Sequence, residues 1–128
     1  MQWIGGTLNR TGLTTLGAAA TWTGNGMNVL SDFRNEGTVT WLDGTMSVGA
    51  GVTFTNAGTL AMQLANNAVW GAGAIFDNTG TITKTVTDKI AYMDSAFTSS
   101  GSVEVSTGTL EFRFGGTTIT GSVTSSGT

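Results

Sequence analysis

The chain has 128 residues, with 20 Gly, no Pro, no Cys and no His; 39% are hydrophobic, 10% are charged, and the net charge is −3. That length suits one domain, and six Phe and four Trp supply a core, while the missing residue types exclude disulfides, the usual zinc sites and Ser-His-Asp or Cys-His catalysis. Five basic residues scattered singly form no patch for phosphates or anionic lipid, so neither nucleic acid nor a membrane surface is an expected partner.

The N-terminus, "MQWIGGTLNRTG", lacks the basic and apolar blocks of a signal peptide, and Met1 reads as an expression start. Downstream, Gly, Thr or Asn breaks every apolar run well before the ~20 residues of a membrane span, so no membrane insertion is expected. "LGAAATW" at 16–22 is cut by Gly17 and Thr21, and helical spacing is sustained nowhere.

"FRNEGTVTW" at 33–41 is the first strong element, and it recurs as "FTNAGTLAM" at 54–62, "FDNTGTITK" at 76–84 and "FTSSGSVEV" at 97–105. Phe33, Phe54, Phe76 and Phe97 open the four copies. Asn35, Asn56, Asn78 and then Ser99 hold the third place, and Gly37, Gly58, Gly80 and Gly101 the fifth. Weaker copies are read at 8–15, with Leu8 and Gly12 in the Phe and Gly places, and at 123–128, with Val123 and Gly127 there. A second phrase interleaves as "WIGGTL" at 3–8, "WLDGTM" at 41–46 and "VSTGTL" at 105–110. At both kinds of corner, Gly is expected to supply positive φ.

Between corners the chain alternates: Phe33, Val39 and Trp41 point one way, and Arg34, Glu36, Thr38 and Thr40 the other. A sandwich gives each strand its own sequence, whereas stacked coils demand the same residue types at the same places, because each coil templates the next. The repeats therefore predict an all-β domain over 1–128, a parallel β-helix (β-solenoid) of about five or six coils of 21–26 residues. The Phe column is expected to stack inside and the Asn column at a corner. The predicted core is Phe33, Val39, Trp41, Phe54, Leu60, Met62, Phe76, Ile82, Phe97, Val103, Val105, Leu110 and Phe112. Lys84 falls in an interior place. The expectation is that the strand bends outward there or the stem reaches solvent; a functional cation beside Asp88 or Asp94 is the alternative.

Taken together, "W-x-x-G-T-L", "F-x-N-x-G-T-V-x-W" and "V-x-x-G-T-L-x-F" resemble the repeats of large bacterial surface and secreted proteins, the filamentous-haemagglutinin-like and autotransporter-like adhesins. The resemblance spans Trp3 to Thr128. It implies a right-handed helix that acts as a stalk or spacer, outside the cell or on its surface, with binding left to loops or neighbouring domains and no catalytic residue to carry over. Because "GSVTSSGT" stops where another copy begins, the chain reads as an excerpt of a longer repeat protein. Its expected partners are neighbouring repeats or other copies of itself, with host or environmental glycans at the loops.

Signals for chemistry are few, and neither catalytic residue, cofactor nor metal is expected. Gly24/Gly26, Gly49/Gly51 and Gly71/Gly73 spell G-x-G without the third Gly or the Lys of a phosphate loop, and read as loop corners. Glu104, Glu111, Asp77 and Asp43 are the carboxylates an acid/base pair could draw on, but each stands alone. "NRT" at 9–11 is a lone glycosylation sequon. Thr triplets at 38–40 and 81–83 suggest an ice-binding face, but "TLA" at 59–61 and "SVE" at 102–104 interrupt it, and unequal coils are expected to spoil its spacing. Ice binding, polysaccharide binding or processing, and end-to-end self-assembly stand as alternatives to the stalk.

Overall fold

A computed structural model describes residues 2–3, 6–9 and 11–125. Met1, Ile4, Gly5, Arg10 and residues 126–128 lie outside this set, as does the Gly127 place of the last repeat copy.

The described residues form seventeen strands and no helix, winding into six coils and the start of a seventh. The first coil holds β1 (Gln2–Trp3), β2 (Gly6–Leu8) and β3 (Thr14–Leu16). The second holds β4 (Thr21–Asn25), β5 (Met27–Val29) and β6 (Phe33–Asn35), and the third β7 (Thr38–Asp43), β8 (Ser47–Val48) and β9 (Thr53–Asn56). In the fourth coil, β10 (Thr59–Met62) precedes one long strand, β11 (Ala68–Asn78); the fifth repeats this with β12 (Thr81–Lys84) and β13 (Ile90–Ser99). The sixth has β14 (Ser102–Val105), β15 (Thr109–Phe112) and β16 (Thr118–Ile119), and β17 (Ser122–Ser125) opens the next.

Every pairing is parallel and joins one coil to the next. The first strands of successive coils build a seven-stranded sheet, β1-β4-β7-β10-β12-β14-β17. The last strands build a second, β3-β6-β9-β11-β13-β15, with β16 also on β13, and β2-β5-β8 form a short third side. This is a β-solenoid. Phe33, Phe54, Phe76 and Phe97 lie directly opposite one another from coil to coil, as do Val39, Leu60, Ile82 and Val103.

The interior is a set of such columns. The four Phe rings stack with centroids 5.1, 5.3 and 5.4 Å apart and interplanar angles of 15–28°. Trp70 packs edge-on against Phe54, Phe76 and Trp41. Ten of the predicted core residues are buried, and Val105, Leu110 and Phe112 are only partly covered because little of a seventh coil lies over them. Trp22, Met27, Val29, Met46, Val48, Leu64, Trp70 and Met93 also belong to the core. Apart from Met46, which closes "WLDGTM", they lie outside the repeated phrases.

Two readings of the repeat are corrected by the register. The coil before Phe33 does not start at Leu8: Leu8 pairs with Val29 on the short third side, while Thr14 lies opposite Phe33 and Leu16 opposite Asn35. At the other end Val123 lies opposite Val103, so it holds the apolar place after Gly-Thr and not the Phe place. Ile119 sits opposite Ser99. Both misreadings match the short phrase at a wrong spacing, because corner loops of variable length shift the frame.

The ladder glycines also have a different reason from the one expected. None of Gly37, Gly58, Gly80 and Gly101 has positive φ. Each is crowded by the backbone of the coil before: a Cβ on Gly58 would overlap the carbonyl oxygen of Gly37, and one on Gly80 that of Gly58. Glycine is needed there for close approach. Positive φ belongs instead to the second phrase, at Gly6, Gly44 and Gly108.

Candidate functional site

Chemistry in this chain divides between one corner of the coil and its outer faces. At the corner, the Asn column is a hydrogen-bonded wire. Asn35 Nδ2 donates to Asn56 Oδ1 at 2.8 Å, Asn56 Nδ2 to Asn78 Oδ1 at 2.8 Å, and Asn78 Nδ2 to Ser99 Oγ at 3.0 Å. The same Nδ2 groups also donate to the carbonyls of Thr59, Thr81 and Ser102. All four ladder residues are fully buried. Their own carbonyls are equally occupied: that of Asn56, for instance, accepts from the amides of Thr79 and Gly80 at 2.9 and 2.8 Å. Asn is required because one amide can donate along the axis and into the next strand while accepting from the previous coil.

Lys84 is the second buried polar feature. The strand does not bend outward and the stem does not reach solvent, for Lys84 is fully buried in the column of Met62 and Val105. Its Nζ donates to the carbonyls of Thr87 at 2.9 Å and Thr107 at 3.2 Å, closing two successive corners. Burial holds its pKa below the ordinary 10.5, and the Asp88 charge pulls it partly back. Gly108, at positive φ, passes so close to this ammonium that any side chain there would displace it. Asp94 is no partner of Lys84, since it takes both forks of Arg113 at 2.8 Å.

On the outer faces, carboxylates mostly hold neighbouring groups. Asp43 accepts from the Gly44 amide and from Asn66 Nδ2, and Asp32 accepts from the Thr53 amide. Arg34 pairs with Glu36, and Lys89 with Asp88, which holds the Asp88 carboxyl below its usual range. Arg113 lies 4.1 Å over the Tyr92 ring while pairing with Asp94, which raises its pKa further. Glu104 and Glu111 are both exposed, on different sheets, and Asp77 is half-buried on β11. Among the described residues no three His, Cys, Asp or Glu side chains come together as a metal site. Asn9 of the sequon is exposed.

The first sheet presents two outward columns of small polar residues. Thr21, Thr38, Thr59, Thr81, Ser102 and Ser122 form one complete hydroxyl column. Thr23, Thr40, Ala61, Thr83, Glu104 and Thr124 form the other, broken at Ala61 and Glu104. Unequal coil lengths leave both columns in register, because the corners absorb the extra residues. The break lies in the side chains.

The last coil is the remaining feature. Val105, Leu110, Phe112, Ile119 and Val123 line an open apolar depression of about 290 Å³. Val123 is 55% exposed, whereas Val39, Leu60 and Ile82 of its column are fully buried. Sequence reasoning finds the ladders from their repetition; Trp70 and the open end carry no repeated signal. No family model, curated protein or solved structure matches the chain.

Proposed function

We propose that the chain is a non-enzymatic structural spacer of an exported bacterial surface protein, a length of stalk that holds other modules away from the cell. The observation that supports this reading is the buried Asn and Phe ladder running through successive coils. Such a column ties each coil to its neighbours along the axis, and six coils at strand spacing extend about 24 Å. Most of its charged side chains serve the same end, pinning corners or pairing with neighbours. Localisation and the absence of turnover are inferred from the resemblance of the repeats to exported adhesins and from this use of the carboxylates.

The test is immunogold labelling of intact source cells with an antibody against this chain, followed by electron microscopy of the released protein. A spacer places label outside the cell and along a shaft. Label confined to the cytoplasm, or only at a tip, would sink the reading.

A further inference from the structure

We propose that the outward hydroxyl face of the first sheet binds ice. Its best-formed part lies on the second to fifth coils. There every outward place of both columns is Thr except Ala61, which keeps a methyl and lacks only the hydroxyl.

The register sets these side chains in a regular array. Thr38, Thr59 and Thr81 lie directly opposite one another, as do Thr40, Ala61 and Thr83, with no shift between coils. Neighbours along a column are therefore one strand spacing apart, ~4.8 Å, and the two columns stand two residues apart along each strand, ~6.6 Å. Branching at Cβ restricts χ1, so each Thr can repeat the orientation of the one before it. Behind the array Trp22, Val39, Leu60 and Ile82 are buried and hold the strands in place.

Water is the partner this chemistry fits. Of the Thr hydroxyls in the patch, Thr81 Oγ1 accepts from Ser102 Oγ at 3.1 Å, and the others meet no protein group among the described residues. Neither column offers an aromatic ring to stack on a sugar or a Lys or Arg to draw an anion, and Glu104 comes one coil beyond the patch. Each Thr presents a hydroxyl and a methyl, and both spacings lie close to repeats of water oxygens on hexagonal ice. Such a surface needs no pocket. Contacts worth little singly add up where array and lattice share a period, and side chains already ordered lose little entropy on binding.

The experiment freezes a dilute solution of the 128-residue chain slowly from one side and compares tryptophan fluorescence in the ice and in the liquid. The parent is expected to enter the ice, and serum albumin to be left in the liquid. Thr40→Tyr puts a ring in the middle of the array and should lose the uptake, while Thr55→Tyr, outward on the second sheet, should keep it. Both positions are half-buried on outer faces, so both variants should keep the β circular dichroism of the parent. Ala61→Thr combined with Glu104→Thr completes the second column, and this double variant should enter ice more strongly than the parent and hold a wider gap between melting and freezing points. A parent left in the liquid overturns the proposal, as does uptake that ignores Thr40→Tyr or a double variant no better than the parent. Adsorption to crystalline cellulose or chitin with exclusion from ice would also overturn it, and would assign the face to polysaccharide.

Discussion

Replacing Asn56 by Leu tests the ladder at its middle. The two side chains share heavy-atom count and branching, and Leu is the bulkier, so the change opens no cavity and its cost is lost hydrogen bonding with some crowding added. Three bonds disappear: Asn35 Nδ2 to Asn56 Oδ1, and Asn56 Nδ2 to Asn78 Oδ1 and to the Thr81 carbonyl. At about 1 kcal/mol net each, they account for ~3 kcal/mol. The Asn78 oxygen, buried with its donor gone, adds ~1–2 kcal/mol, so the expected loss is about 4–5 kcal/mol. Urea unfolding reads this as a midpoint lower by ~2 M for a slope near 2 kcal/mol/M. The triple variant N35L/N56L/N78L should cost clearly less than three times the single one, because donors and acceptors leave together. A single variant within ~1 kcal/mol of the parent, or strictly additive losses, would refute the wire.

Two further perturbations follow the same unfolding assay. Phe54→Ala removes a ring stacked on Phe33 and Phe76 and edged by Trp70, and should cost about 3–5 kcal/mol; a change within error would mean the column is not interior. Lys84 has its folded pKa held below 10.5 by burial, so between the folded value and 10.5 the unfolded chain binds more protons. Stability therefore rises with pH across that alkaline window, and Lys84→Met should abolish this rise; a parent profile that falls there, or one unchanged in the variant, contradicts the assignment.

What is legible in the sequence depends on repetition. Phe33, Phe54, Phe76 and Phe97 recur in one phrase, so the parallel stack and its register follow from the residues alone. Trp22, Trp70 and Met93 also belong to the core but occur in unlike contexts, because the corner before them changes length from coil to coil. The fusion of two short strands into β11 and β13 is likewise hidden, and in β11 it comes with a bulge between Gly71 and Ala74. Lys84 stands out as an intruder in an apolar column, but of its two carbonyl partners Thr87 lies 3 residues on at the corner, and Thr107, 23 residues on, joins only when coils stack. Reading Gly37, Gly58, Gly80 and Gly101 as positive-φ residues fails for a related cause. Their constraint comes from the preceding coil, not from their own turn.

The ends of the columns differ in their chemistry. An Asn wire has a direction, and it needs a donor at its start and an acceptor at its finish. Asn35 Oδ1, with no Asn in the coil before it, accepts from the Gly37 amide at 3.0 Å, and Asn78 Nδ2 donates to Ser99 Oγ. Leu16 before the wire and Ile119 after it are apolar, so the polar column is satisfied within the chain. Val123, in the otherwise buried column of Val39, Leu60, Ile82 and Val103, is 55% exposed but carries no polar group that needs a partner.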